Sequence, residues 1–423
     1  VKSTRSRSAL FATALVAGAL VAPTAANAQD PVEIDWWHIQ TNDPGLSLNQ
    51  AVADEYMAAH PGVKINITVL ENEAFKSKLA LDMQGGTAPD IFQSWGGGVL
   101  AEQADAGMVR PIADEWAQCP DVLNPGALSI YQVDGVQYGV PYNFGLVGFW
   151  YNKDLFAQAG IDAPPATWDE LLADVQALKD AGITPIALAG GDKWPAMFYW
   201  AYLALRAGGQ AALEEAIATG DWTGPAFIEA GTQLKRLIDL APFQEGFLAG
   251  GYNRDQASTM GNGKAAMELM GQWAPGVQVA ESESQTGIGE ALSWFPFPAL
   301  EGGAGAATDV FGGADGYAVG KDAPPEAVDF LCYLVSEAVA ERFAATNTGI
   351  LPPTEAAVDA VTDPTLGELL TKRAEATFAQ LYLDQATTPA LGQAINDAIQ
   401  LLFAGQATPE DVAQQITDAA QNQ

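Results

Sequence analysis

At 423 residues the chain is long enough for two domains or for one large α/β domain. It carries 19 basic against 52 acidic residues, a formal charge of −33. A surface of that sign repels phosphate backbones and anionic headgroups, which argues against nucleic acid or a membrane face as partner and leaves neutral ligands open.

The first stretch, "VKSTRSRSALFATALVAGALVAPTAANAQD", has a basic start at Lys2, Arg5 and Arg7, an apolar run from Ala9 to Ala22, and a small-residue exit at Ala26-Asn27-Ala28. That pattern predicts a secretory signal over residues 1–28, cleaved before Gln29. The apolar run is shorter than the ~20 residues a membrane span needs. No Cys stands at the cleavage point, so a bacterial lipid anchor is not indicated. Without Lys2, Arg5 and Arg7 the balance becomes 16 basic against 52 acidic residues, a net −36. The expectation is a soluble, exported protein, periplasmic or extracellular.

After the signal, strands and helices alternate. "VEIDWWHI" reads as a strand and "LSLNQAVADEYMAAH" as a helix closed by Pro61-Gly62. In "VKINITVL" the residues Val63, Ile65, Ile67 and Val69 alternate with Lys64, Asn66 and Thr68, a period of two that predicts a strand with one covered face. A helix "EAFKSKLALDMQ", a break "GGTAPD" and a short apolar strand "IFQSW" follow. This rhythm signals an open α/β sheet, in which ligands sit beyond the strand ends. The middle of the chain is mostly helical. "TWDELLADVQALKDAG" has a capping box at Thr167 and Glu170, and "GPAFIEAGTQLKRLIDL" reads as a second helix. The stretch "GGAGAA" at 302–307 reads as an exposed loop, and the last ninety or so residues are again helical.

Catalytic signatures are mostly missing. His38 and His60 are the only histidines, without a second histidine at metal-ligand spacing, and no P-loop or G-x-S-x-G pattern occurs. Neither metal nor cofactor is implied. Cys119 and Cys332 are more than 200 residues apart; Cys332 falls in the apolar run "AVDFLCYLV", which favours a buried free thiol over pairing. What stands out is Trp and Tyr beside Asn, Asp and Gln at predicted strand ends and loops: "DWWHIQTND", "IFQSWGGG", "VPYNFG", "GDKWPAMFYWAYLALRAGG", "ELMGQWAPG", "FGGADGYAVG" and "QLYLDQATTP". Sugar recognition needs this pairing, with ring C–H faces lying on aromatics while amides and carboxylates meet the hydroxyls. Any single Trp in a strand is more often core.

The order of segments resembles the bacterial extracellular carbohydrate-binding proteins of ABC importers, the maltose-binding-protein-like class. The residues that carry the resemblance are "GGTAPDIFQSW", "YNKDLF" followed by "PPATWDELL", "NGKAAMELMGQWAPG" and "GILPPTEAA". The resemblance covers essentially the whole chain after the signal. It implies a two-lobed α/β periplasmic-binding-protein fold (type II, Venus-flytrap) with hinge crossings near Phe144 to Val147, Trp294 to Pro298 and Ser336. The first lobe would combine 29–143 with 296–336, and the second 144–295 with 337–423. By motif position it implies Trp95 and Trp273 as stacking residues and places Trp37, His38, Trp194, Tyr199, Asp315, Asp384 and Gln385 toward the ligand; His38 equally suits a packing role.

The densest aromatic run, "VPYNFGLVGFWYNKDLF", divides in two. "LVGFWY" is apolar on both faces, as a buried strand is, and the contact residues move upstream to Tyr142 and Asn143. The resemblance implies a monomeric protein that binds a neutral di- or oligosaccharide, without catalysis, for a membrane ABC permease. Xylo-oligosaccharides and related β-linked sugars come first, α-glucosides or α-galactosides next. Two rivals stand beside this reading: a secreted glycoside hydrolase using Glu268 or Asp315 with a second carboxylate, and a surface lectin.

Overall fold

The structure is a computed structural model that describes residues 1–3 and 30–422; the expected export signal, apart from its first three residues, lies outside the described residues. Among the described residues no helix is long and apolar enough to cross a membrane.

The strands in chain order are β1 (Val32–His38), β2 (Val63–Val69), β3 (Ile91–Ser94), β4 (Gln132–Val133), β5 (Val136–Gln137), β6 (Gly139–Leu146), β7 (Gly148–Asn152), β8 (Met267–Met270), β9 (Leu292–Phe295), β10 (Val310–Val319) and β11 (Ala379–Leu381). β1 pairs in parallel with β2 and β3, and β10 runs antiparallel to β3. β6 lies antiparallel along the other edge of β10, and β11 joins the opening residues of β10 in parallel. β7, β8 and β9 form a separate antiparallel sheet with β7 in the middle.

The alternation of side chains across β1 explains the layering of the first sheet. Ile34 and Trp36 pack on one face with Val52, Tyr56, Phe330 and Leu331, while Trp37 packs on the other with Phe75, Leu79 and Phe92. Helices 45–59 and 325–334 therefore cover one side and helix 72–85 the other. β2 is the edge strand: its alternation is present, yet only Ile65 of the apolar set is fully buried. Each residue of β7 is buried, as continuous apolar character predicts, and Phe149 stacks on Phe295 at 5.1 Å. Helix 194–219 lies over this second sheet, and the expected capping box at Thr167 and Glu170 opens helix 168–180.

The expected crossing at Phe144 to Val147 falls where β6 gives way to β7, and the one at Trp294 to Pro298 leaves β9. Beyond Ser336 the packing is divided. Val339, Phe343 and Ile350 join the core around Ile34 and Trp36, and β11 extends the first sheet. Helices 389–403 and 409–421 supply Ile395, Ile399, Val412 and Ile416 to the core of the second sheet. The "GGAGAA" stretch is mostly exposed and wraps a buried cation: Arg206 donates to the carbonyls of Phe297, Pro298, Ala306, Ala307 and Asp309 at 2.8–3.3 Å.

One expectation is overturned. Cys119 and Cys332 form a disulfide, with Cα atoms 5.6 Å apart, within the range a bridge requires. Cys332 sits in an apolar run, but its position on helix 325–334 is half-buried and faces the turn that carries Cys119. A separation of 213 residues hides such proximity from the sequence.

Candidate functional site

A cleft lies between the two sheets, enclosing about 1160 Å3 of space that includes solvent at its mouth. Its floor is made where β6 and β10 cross. Asn143 and Asp315 stand opposite each other in the ladder, and a bulge between Asp315 and Gly316 breaks the register there. Bulges re-aim side chains beside sites. Asn143 Nδ2 donates to Asp315 Oδ2 at 2.8 Å, and Asn143 Oδ1 accepts from the Leu351 amide at 2.7 Å, so one side chain ties three passing segments. Burial raises the Asp315 carboxyl to about 6, while hydrogen bonds from Asn143 and the Trp95 side chain pull it back down. "GGADG" is strand rather than turn, and its glycine serves packing: a Cβ on Gly313 would lie 2.5 Å from the Tyr382 ring.

The first wall belongs to the end of β1, the end of β2 and the loop after β3. Gln40, Thr41, Asn42 and Asp43 follow β1, Glu71 and Asn72 follow β2, and Trp95 follows β3. Glu71 caps helix 72–85 by accepting from Glu73 and Ala74 amides. One turn on, Lys76 faces the cleft, bonded to Glu73 at 3.0 Å and 5.4 Å from the Trp95 ring centroid.

The second wall is aromatic. Trp194 opens helix 194–219 and meets Phe198 and Tyr252 at 5.3 Å each and Trp273 at 6.4 Å. Tyr382 stacks on Phe198 at 5.4 Å and meets Trp273 edge-on at 6.3 Å. Asp384 and Gln385 follow Tyr382 into the cleft; burial raises the Asp384 carboxyl, opposed by Lys76, Asn396 and Gln385.

Of the residues singled out in the sequence, Trp95, Asn143, Trp194, Trp273, Asp315, Asp384 and Gln385 all line this cleft. Four are placed elsewhere. Trp37 packs beneath helix 72–85 with Lys78 over its ring at 4.6 Å. His38 is fully buried, and desolvation lowers its pKa to about 4; the neutral ring accepts from the Gln40 amide through Nδ1 at 3.2 Å. Tyr142 lies under the floor, stacked on Tyr317 at 4.9 Å, its hydroxyl accepting from Gln40 Nε2 at 3.0 Å. Tyr199 is core, edge-on to Phe149 at 6.0 Å. His38 and Tyr142 thus hold Gln40, which lines the cleft, without reaching it themselves. The reason is the strand period: on β6, Tyr142 and Asn143 point to opposite faces.

Asn72, Lys76 and Tyr252 also line the cleft, outside every segment that stands out in the sequence, as do Gln40, Asn42, Phe198 and Tyr382, which fall within such segments without being named as site residues. Gln40, Asn42 and Asn72 sit just past strand ends, where an open sheet places its ligand, so that signal was available. Tyr252 carries none, because "GGYNRD" resembles an ordinary surface turn. Glu268, the hydrolase carboxylate considered from sequence, has no exposure and does not line the cleft. Among the described residues no group of three or more His, Cys, Asp or Glu gathers as a metal site would require.

This is the architecture of a two-lobed solute trap, and comparison with known proteins agrees. The family described as bacterial extracellular solute-binding protein matches residues 39–341, and the chain belongs to that family. It is similar to an uncharacterized ABC transporter extracellular-binding protein of Pyrococcus horikoshii, 27% identical over 59% of this chain and 57% of that one. A putatively named binding protein of Brucella abortus is 30% identical over 52% of this chain and 53% of that one. The chain spans about half the length of these two relatives. A lactose-binding protein of Rhizobium radiobacter is 27% identical over 75% of this chain and 73% of its own. Two solved structures superpose with a TM-score of 0.84 at 27% identity: a chitin oligosaccharide binding protein, and one from work on xylan utilization by the thermophilic bacterium Caldanaerobius polysaccharolyticus. They cover 93% and 92% of this chain, each matched over 99% of its own. The expected two-lobed α/β fold is the one these matches share.

Proposed function

We propose that this chain is the solute-binding component of an ABC sugar importer, holding a neutral di- or oligosaccharide between its lobes and delivering it to the permease. The observation that carries the reading is the pairing of walls: Trp194, Tyr252, Trp273 and Tyr382 on one side, and amides and carboxylates on the other. Rings supply apolar area for sugar faces, and the polar groups fix hydroxyls. The site suits ligands of the size class that pockets of about 300–1000 Å3 accept. Asp43, Glu71, Asp315 and Asp384 stand in the lining with Lys76 as its one cation among the described residues, which disfavours a phosphorylated ligand.

β-Linked sugars are the first choice within this class, xylo-oligosaccharides foremost, because both 27%-identical structures bear on xylan or chitin oligosaccharides. α-Glucosides or α-galactosides come next. The protein works as a monomer, exported to the periplasm or cell exterior, and binds without catalysis. Its first lobe centres on the sheet of β1, β2 and β3, its second on that of β7, β8 and β9, and ligand contacts with both shift an open–closed equilibrium about the β6–β10 crossing.

Calorimetric titration with xylotriose, chitotriose, maltotriose and lactose tests the reading. Saturable heat with at least one sugar, and no reducing sugar released from it over hours, is expected. Absence of heat and of any thermal shift across the panel refutes sugar binding, and turnover restores the hydrolase.

A further inference from the structure

Behind the aromatic wall, a buried carboxylate holds two of the segments that carry it. Glu268 lies on β8 opposite Trp150 of β7 and is wholly shielded from solvent. Its Oε2 accepts from Gln256 Nε2 at 2.9 Å and its Oε1 from Gln278 Nε2 at 2.6 Å. Gln256 belongs to a π-helical turn, Tyr252–Ala257, whose first residue presents its ring to the cleft. Gln278 belongs to helix 274–281, which starts directly after Trp273. The two segments are in close contact: a Cβ on Gly261, at the end of the helix that continues the π-turn, would lie 2.2 Å from the Gln278 carbonyl oxygen. Tyr252 and Trp273 both contact the Trp194 ring, at 5.3 and 6.4 Å between centroids.

We propose that Glu268 is a positioning residue for ligand binding, its two oxygens setting where Tyr252 and Trp273 stand relative to Trp194. The inference rests on the sugar-binding reading above. Two amide donors converging from different segments need an acceptor with two oxygens, which a carboxylate provides and a protonated carboxyl keeps only when the Gln278 amide turns over to accept its proton. Stability alone does not call for it. No cation pairs with Glu268 among the described residues, and burial raises its carboxyl to about 7, so a carboxyl held only by amides is costly there beside an apolar side chain of similar volume. The other titratable groups around it are the hydroxyls of Tyr199 and Tyr252, both pushed up by burial.

The clamp is also asymmetric. Gln256 is held at both ends, since its Oε1 accepts from the Ala189 amide at 2.7 Å. Among the described residues Gln278 Oε1 has no partner, so its amide is free to turn over and accept instead of donate. A glutamine at 268 therefore keeps both links, donating to Gln278 and accepting from Gln256, whereas a leucine keeps neither.

The test compares Glu268→Leu, Glu268→Gln and Gln278→Ala in the full chain, each titrated with xylotriose, chitotriose and maltotriose well below its melting temperature. Glu268→Leu is expected to weaken binding about tenfold or more, with Glu268→Gln restoring it to within about threefold. A Glu268→Leu protein that melts earlier yet binds with wild-type affinity overturns the proposal, because that is the signature of a purely structural residue. Should Glu268→Leu not fold, Gln278→Ala removes one link and leaves the carboxylate; wild-type affinity in that folded variant overturns the proposal, and a severalfold loss supports it. A wild-type chain that binds none of the three sugars removes the underlying reading instead, an outcome distinct from any difference among variants.

Discussion

The two walls of the cleft are built from opposite materials. The first is polar, with Gln40, Thr41, Asn42, Asp43, Glu71, Asn72 and Lys76 around a single ring, Trp95; the second gathers Trp194, Phe198, Tyr252, Trp273 and Tyr382. The chain's local structure explains the split. First-wall residues lie where strands end and helices begin, positions that favour side chains able to bond to backbone, as Glu71 does. Second-wall rings stand on the lining side of segments whose other side is the core of the second sheet, so they pack on one another, edge to face for Trp194–Tyr252 and Trp273–Tyr382, tilted for Trp194–Trp273 and stacked for Phe198–Tyr382. Stacking offers area with little orientation, and hydrogen bonds offer orientation with little area. Tight, selective binding therefore needs both walls together, joined at the Asn143–Asp315 floor.

The comparison breaks most directly at Trp273. Its ring touches Trp194 and Tyr382, so truncation removes a platform and loosens two neighbours. Trp273→Ala is expected to cost about 2–3 kcal/mol of sugar affinity, roughly 30- to 150-fold, measured by calorimetry. Loss of less than about threefold would mean that the aromatic wall does not stack the ligand.

At the floor the expected effect is smaller and depends on pH. Burial raises the Asp315 carboxyl to about 6, and only its ionised form would offer a sugar two oxygens that both accept. Affinity should weaken as pH falls through about 6 and level off above it. Asp315→Asn is expected to bind about tenfold more weakly at pH 8 and to show no such step. A wild-type affinity that is flat from pH 5 to 8 would show that Asp315 does not contact the sugar.

How much of this was legible in the sequence follows from the same contrast. The strands, capping boxes and sheet class were readable, because strand period and cap chemistry act over a few residues, as at Val63–Val69 and at Thr167 with Glu170. Motif position singles out Trp95, Trp194 and Trp273, and all three line the cleft. Tyr142 and Tyr199 were misplaced for one reason: an aromatic beside a site and an aromatic within it differ only by which face the backbone turns outward. The Cys119–Cys332 bridge and Tyr252 were not readable, since both depend on contacts between segments remote in sequence.

Behind the second wall, pH should act on stability more than on binding, because a protonated Glu268, like a glutamine, keeps both links once the Gln278 amide turns over. The unfolded Glu268 carboxyl ionises near its ordinary 4.5, whereas burial holds the folded one at about 7. Between those values the unfolded chain sheds a proton that the folded protein keeps, so this group's contribution to stability falls as pH rises through the window. It is constant below about 4.5 and above about 7. Glu268→Gln should remove that share of the slope, shifting melting temperature by a few degrees more favourably at pH 7 than at pH 4.5. Parallel melting curves for the two proteins across the window would contradict the buried, late-titrating carboxyl.

The smallest expected effect is also the sharpest check on what the polar wall is for. Lys76 is the one cation in the lining among the described residues, but it is already bonded to Glu73 and stands beside Trp95. A partly exposed pair of that kind contributes about 0–1 kcal/mol. For a neutral sugar, Lys76→Met should change affinity by no more than about threefold, with little dependence on salt. For an anionic ligand, the same substitution removes the positive charge from a cleft otherwise lined by Asp43, Glu71, Asp315 and Asp384, and binding should collapse and vary steeply with ionic strength. A large, salt-dependent loss in Lys76→Met would thus overturn the division of labour between the walls, since charge on the first wall would then outweigh stacking on the second.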